Sequence, residues 1–143
     1  MPAVVNNVLA VVGRLMLVTI FLMSALGNKI PQFSGVVGYM QSKGVPFPSL
    51  MLVGAIAFLL VGGVSVLLGW YARFGATLLL VFLVLATYYF HAFWTLPADQ
   101  SQGEMIQFMK NLALMGAMVG IIANGPGAMS IDSREGRENE KIT

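Results

Sequence analysis

The sequence predicts an all-α fold: an integral membrane four-helix bundle with a short amphipathic segment in its first outer loop. Three observations predict it. The 143 residues are 57% hydrophobic and only 10% charged, against about 25% charged in an average soluble chain, and the mean hydropathy is +0.81. Four apolar runs reach the roughly 20 residues that a helix needs to cross a bilayer. The runs are continuous rather than alternating, which excludes a transmembrane β-barrel. Helices then follow, because lipid cannot satisfy the polar groups of an open backbone. The length bounds the chain to one domain. Residues 1–132 are expected to form the bundle and residues 133–143 a polar tail.

Span one covers residues 5–26 and carries one charge, Arg14. Gly27 is expected to end it. The stretch from Leu15 through Ala25-Leu26-Gly27 has the outline of a signal peptide, but the residues before Arg14 are apolar. No charged n-region precedes the run, so a span is the better reading. In the following loop Phe33, Val36, Val37 and Met40 recur at helical spacing, with Gln32, Ser34, Gln41 and Ser42 between and around them. This segment is either an amphipathic helix on the outer membrane face or an irregular loop with buried apolar anchors.

Span two covers 49–68 and has no charge; Pro46, Pro48 and Ser49 open it and Gly69 closes it. Span three covers 74–90, also uncharged. Span four covers 104–123, contains Lys110, and stops at Gly125-Pro126. Helices associate in lipid through close packing, which small residues permit. Gly62 and Gly63 in span two, and Gly116 and Gly120 in span four, are therefore expected at helix contacts. The contacts are expected within the chain, with a homo-oligomer as the alternative.

Orientation follows from basic loop residues. Arg73, Arg134, Arg137 and Lys141 share the side of the termini, against Lys29 and Lys43 opposite. The termini are expected in the cytoplasm and the chain in a bacterial inner membrane. Trp70 and Tyr71 suit the inner interface; Tyr88, Tyr89 and Trp94 suit the outer one.

Composition excludes several classes. There is no cysteine and a single histidine, His91. Disulfides, thiolate nucleophiles, iron–sulfur clusters and His-rich metal sites lack their ligands, so neither a metal nor a covalent cofactor is expected. A net charge of +2 without a basic patch gives nucleic acid no footprint. The surroundings are expected to be lipid and other membrane protein subunits.

Ionisable groups inside a membrane are costly and each needs a reason. Arg14 either snorkels to the headgroups or clamps an anionic group. Glu104, Gln107, Lys110 and Asn111 occupy one arc of helix four at 100° per residue. Lys29, His91, Trp94 and Asp99 are expected at the same outer level. Together they form either an ion-pair and hydrogen-bond seal or a pocket for the polar head of an amphipathic molecule. A quinone fits such a pocket, since its carbonyls accept hydrogen bonds and His91 titrates near neutral pH.

These residues, taken in order, resemble the DoxX family of small four-helix bacterial membrane proteins. The matching pieces are Gly13-Arg14-Leu15, Gly27-Asn28-Lys29-Ile30, Tyr39-Met40, Gly44-Val45-Pro46, Gly62-Gly63, Leu68-Gly69 and His91-Ala92-Phe93-Trp94. The strongest are Phe108-Met109-Lys110-Asn111-Leu112-Ala113 and the segment from Gly125-Pro126-Gly127 to Asp132. The resemblance covers residues 11–132. One departure stands out: Leu59-Leu60-Val61 precedes the paired glycines, where family members often have a glutamate. The resemblance implies a link to redox chemistry, since some family members are subunits of thiosulfate:quinone oxidoreductase and others belong to membrane assemblies that respond to oxidative or thiol stress.

The expected function is an accessory subunit of a membrane redox assembly rather than a stand-alone enzyme. Lys110 would donate to a quinone or carboxylate oxygen and His91 would supply a proton. Trp94 would pack the head group, with Lys29 at the entrance and Gln107 and Asn111 completing the polar arc. The alternative is a structural scaffold subunit, favoured by the missing span-two carboxylate. A transporter is less well supported, because no polar line joins Arg14 to Lys110.

Overall fold

A computed structural model describes residues 2–133 of the chain. Met1 and residues 134–143, which hold most of the expected polar tail, lie outside the described residues. Five α-helices follow in order: α1 (Ala3–Ser24), α2 (Phe33–Ser42), α3 (Pro48–Leu68), α4 (Ala72–Phe90) and α5 (Ala98–Asn124). A π-helical turn, Ala25–Lys29, extends α1, and a short 3-10 turn, Phe93–Thr95, precedes α5. Four of the helices are long and apolar enough to cross a membrane. The protein is therefore an all-α membrane bundle, with α2 as the helical segment of the first long loop.

Two expectations at helix ends are corrected. Gly27 does not stop the first helix. The chain passes through it in a π turn closed by the Ile30 N–H donating to the Ala25 carbonyl at 3.0 Å. Helix α5 begins at Ala98, six residues before the expected 104. Its 27 residues reach about 40 Å, more than the roughly 30 Å hydrocarbon core. The polar first turns thus project past the apolar layer, where hydropathy carries no signal.

α3 packs between α1 and α4, and α4 also packs on α5. Val18, Phe21 and Ala25 of α1 meet Leu59 and Val66 of α3, Ala76, Leu79 and Leu83 of α4, and Met118 of α5 in one core. The outward faces, including Leu15, Val84, Ile106 and Val119, are exposed and apolar, as lipid contact requires. The closest helix approach is α3 against α4. A Cβ placed on Gly62 would lie 2.8 Å from the Gly75 carbonyl oxygen, and one on Gly75 would lie 2.5 Å from Ser65 Oγ. Gly63 is also buried, against Leu22. Gly116 and Gly120 differ: a Cβ on either meets nothing within 4 Å. Among the described residues they make no close helix contact, unlike Gly62 and Gly63.

The end carrying the termini is closed by the segment after α5. The Asp132 carboxylate accepts from the backbone N–H of Tyr71 at 2.8 Å and of Ala72 at 3.0 Å. It thereby caps the first turn of α4, where the free N–H groups and the helix dipole favour a negative charge. Asp132 in turn donates its own N–H to the Gly69 carbonyl at 2.9 Å. Gly69 has φ +64, and a side chain there would collide with Arg14 and Ser130. Arg14 is buried rather than extended to the headgroups, and among the described residues it meets no carboxylate. It is 5% exposed, and its Nη2 donates to the Met129 carbonyl at 2.9 Å. Arg14 thus pins the returning segment to α1.

Candidate functional site

The end opposite the termini holds a cavity of about 1010 Å³, at the upper limit of the ~300–1,000 Å³ common for small-molecule sites. Its wall is assembled from α1, the π turn, α2, α3, α4 and α5. Each element reaches it for a local reason. Pro48 starts α3 at its first position, where a missing N–H costs nothing. Met40 of α2, Val45 and Leu52 of α3 form a second small core, joined by Val36, Val37, Tyr89 and Phe90. That core holds α2 across the ends of α3 and α4. Tyr39 stacks on Phe90 with ring centroids 5.4 Å apart.

The π turn decides where Lys29 goes. Five residues along a regular α-helix differ by about 140°. The extra residue taken up by an i→i+5 turn swings Lys29 back over the face of Ser24. Lys29 Nζ donates to Ser24 Oγ at 2.7 Å and sits 5.5 Å from the centre of the Phe82 ring. Phe82 lies near the middle of α4. The ammonium therefore points down into the bundle rather than out to the loop level. Where sequence suggested a place at the entrance, Lys29 is found on the wall beside Ser24 and Phe82.

Nearer the end of the bundle, Asn111 is buried and its Nδ2 donates to Thr87 Oγ1 at 3.0 Å. This bond ties α5 to α4. Lys110 donates to Gln107 one turn earlier on the same helix. His91 Nδ1 lies 2.7 Å from Glu104 Oε2, joining the end of α4 to the start of the apolar part of α5. Among the described residues this is the one contact of a carboxylate with a Lys, Arg or His side chain within salt-bridge distance.

Four of the six expected ligand residues, Lys29, His91, Lys110 and Asn111, line the cavity. Gln107 and Trp94 do not. Gln107 is exposed. Trp94 is 59% exposed and makes edge contacts with Phe93 and Phe108 at 5.3 and 5.9 Å. Asp99 and Glu104 also lie off the wall. Sequence reasoning missed Ser24, Asn28, Gln32 and Tyr39 on the wall, and Thr87 as the partner of Asn111. Thr87 had a signal, being a polar residue in an apolar span. Ser24 and Asn28 depended on the π turn, which has no sequence signature.

The arrangement offers two ammonium groups and the side chains of Ser24, Asn28, Gln32, His91 and Asn111 on a wall that is mostly apolar. Such a site suits an apolar body carrying acceptor oxygens.

Comparison with known proteins agrees with the architecture. The DoxX family model matches residues 9–92, from the first turns of α1 to just past His91. The chain is 32% identical to inner membrane protein YphA of Escherichia coli, covering 89% of this chain and 90% of that protein. It is also 32% identical to inner membrane protein YqjF of the same organism, covering 89% and 92%. A Surfeit locus protein 4 homolog of Drosophila melanogaster is 27% identical over 59% of this chain but only 30% of its own length. No solved structure matches. With the family model covering more than half its length and two relatives matched almost end to end, the chain belongs to the DoxX family.

Proposed function

We propose that this protein is an accessory subunit of a membrane redox assembly and holds a quinone-class molecule in the cavity. The observation that carries the reading is the cavity itself: about 1010 Å³, apolar over most of its wall, with Lys29, His91, Lys110 and Asn111 on it. A quinone supplies two-electron chemistry when bound. Lys29 and Lys110 offer N–H donors to its carbonyl oxygens, and the apolar wall takes its ring and tail. His91, held by Glu104 at 2.7 Å, offers an imidazole nitrogen on the wall as a hydrogen-bonding group. The resemblance of the chain to inner membrane proteins supports a place in a bacterial inner membrane. The arginines of the terminal side support cytoplasmic termini.

The test is purification from native membranes in mild detergent, with mass spectrometry of co-eluting proteins and extraction of quinone. The expected result is stoichiometric redox proteins together with quinone, the quinone being lost in Gly54→Trp. Gly54 lines the cavity and has open space at its Cβ, so a bulky side chain there meets no packed core atom and competes with a ligand for part of the wall. Retention of quinone in Gly54→Trp would overturn the cavity as its site. A scaffold role is the second reading. It draws on Gly116 and Gly120, whose small faces no part of the described chain covers. Stoichiometric partners without redox groups would favour it.

A further inference from the structure

We infer that the cavity also takes a second class of occupant, an apolar molecule carrying an ionised acid group, and that Lys29 is its counter-charge. The inference rests on the cavity being a ligand site and names an occupant distinct from the quinone. The argument is one of charge balance. The wall carries the ammonium groups of Lys29 and Lys110 and the imidazole of His91, and no Asp or Glu. The carboxylate nearest in function, Glu104, is taken by His91 at 2.7 Å and lies off the wall. Among the described residues neither lysine has a carboxylate within ion-pair distance.

Lys29 is the telling group. A lysine near a helix end ordinarily extends toward water and headgroups. This one turns the other way, to Ser24 and the Phe82 ring in the middle of the bundle. An ammonium has three N–H donors. Ser24 Oγ takes one, and a ring face attracts the cation only weakly. Lys29 lines the cavity, and no further hydrogen bond to its ammonium is found among the described residues. An unpaired cation at this depth is costly, and such residues pair with an anion when they function. A carboxylate on an apolar chain supplies that anion and fills the apolar wall. Helix α1 and the π turn line the cavity from Ile20 to Lys29, a rise of at most roughly 13 Å. That is close to the ~15 Å of one leaflet's hydrocarbon, which suits a single-chain acid.

The experiment uses the full chain in lipid nanodiscs and three probes: a fluorescent polyene fatty acid, its methyl ester, and a short-chain quinone. The acid is expected to bind more tightly than the ester by about tenfold or more. Lys29→Met should remove that advantage and leave the ester unchanged, while Lys29→Arg keeps it. Gly54→Trp should abolish binding of acid and ester alike, showing that the signal comes from the cavity rather than the bilayer. Equal binding of acid and ester, or an acid preference that survives Lys29→Met, overturns the inference. Quinone binding without acid preference leaves the quinone reading standing and sinks this one. Acid binding without quinone binding does the reverse. If Lys29→Met fails to fold, the acid-to-ester ratio of the unaltered chain and of Lys29→Arg still decides.

Discussion

Asn111 shows how much a single buried polar residue decides in this chain. Its Nδ2 reaches Thr87 Oγ1 at 3.0 Å across the α4–α5 contact. In lipid, neither group finds water if the other is removed. Asn111→Leu should lower the thermal midpoint of the purified protein, at a cost of about 0.6–2 kcal/mol. The double variant Asn111→Leu with Thr87→Val should recover part of the loss, because no unpaired hydroxyl then remains. A double variant no better than the single one would show that shape, not the hydrogen bond, holds the contact. Asn111 was legible in sequence as part of a polar arc, and its neighbour Lys110 likewise. Their roles were not. Helical spacing puts both on one sector, but only the tilt of α5 against α4 decides that Asn111 is buried and Lys110 exposed. Arg14 teaches the same lesson. Its charge is plain in sequence, but its partner is a backbone carbonyl of Met129, and a carbonyl has no residue signature.

At the scale of elements, the spans were legible because hydropathy and length are enough to mark them. Their contacts were legible only in part. The pair Gly62 and Gly75 forms the tightest crossing, and sequence pointed to Gly62 through its small neighbours. Gly75 stands alone between Phe74 and Ala76 and gave no such pattern. Gly116 and Gly120 had the better pattern, four residues apart, yet meet nothing within 4 Å. Spacing reports what a helix permits, not which side a neighbour takes. A matched pair of substitutions separates the two cases. Gly75→Leu must push Ser65 or the backbone of α3 aside, and should cost about 1–3 kcal/mol or more, read as loss of monodisperse protein on gel filtration. Gly116→Leu should leave folding unchanged within about 0.5 kcal/mol. Should Gly116→Leu keep the fold but lose co-purifying proteins, the scaffold reading gains its contact surface. The reverse pattern, a tolerated Gly75→Leu, would show that α3 and α4 are not so closely packed.

Across the whole molecule, the two ends do different work. The end with the termini is knotted shut: Arg14 holds Met129, Asp132 caps α4, and Gly69 leaves room for both. The opposite end is open around a cavity and covered by α2. Which end faces the cytoplasm fixes which compartment the cavity serves, and the basic residues argue that it opens away from the cytoplasm. The chain lacks cysteine, so single introduced thiols report side without background. Gln41→Cys, on exposed α2, should react with a membrane-impermeant maleimide added to intact spheroplasts. A cysteine at exposed Arg73, in the first turn of α4, should react only after the membrane is opened. Both residues are exposed on the bundle, and labelling of each after the membrane is opened separates sidedness from lack of access. The opposite pattern would invert the bundle. It would place the ligand-facing Lys29 in reach of cytoplasmic acids and leave the charge bias of Arg73, Arg134, Arg137 and Lys141 without a role in topology.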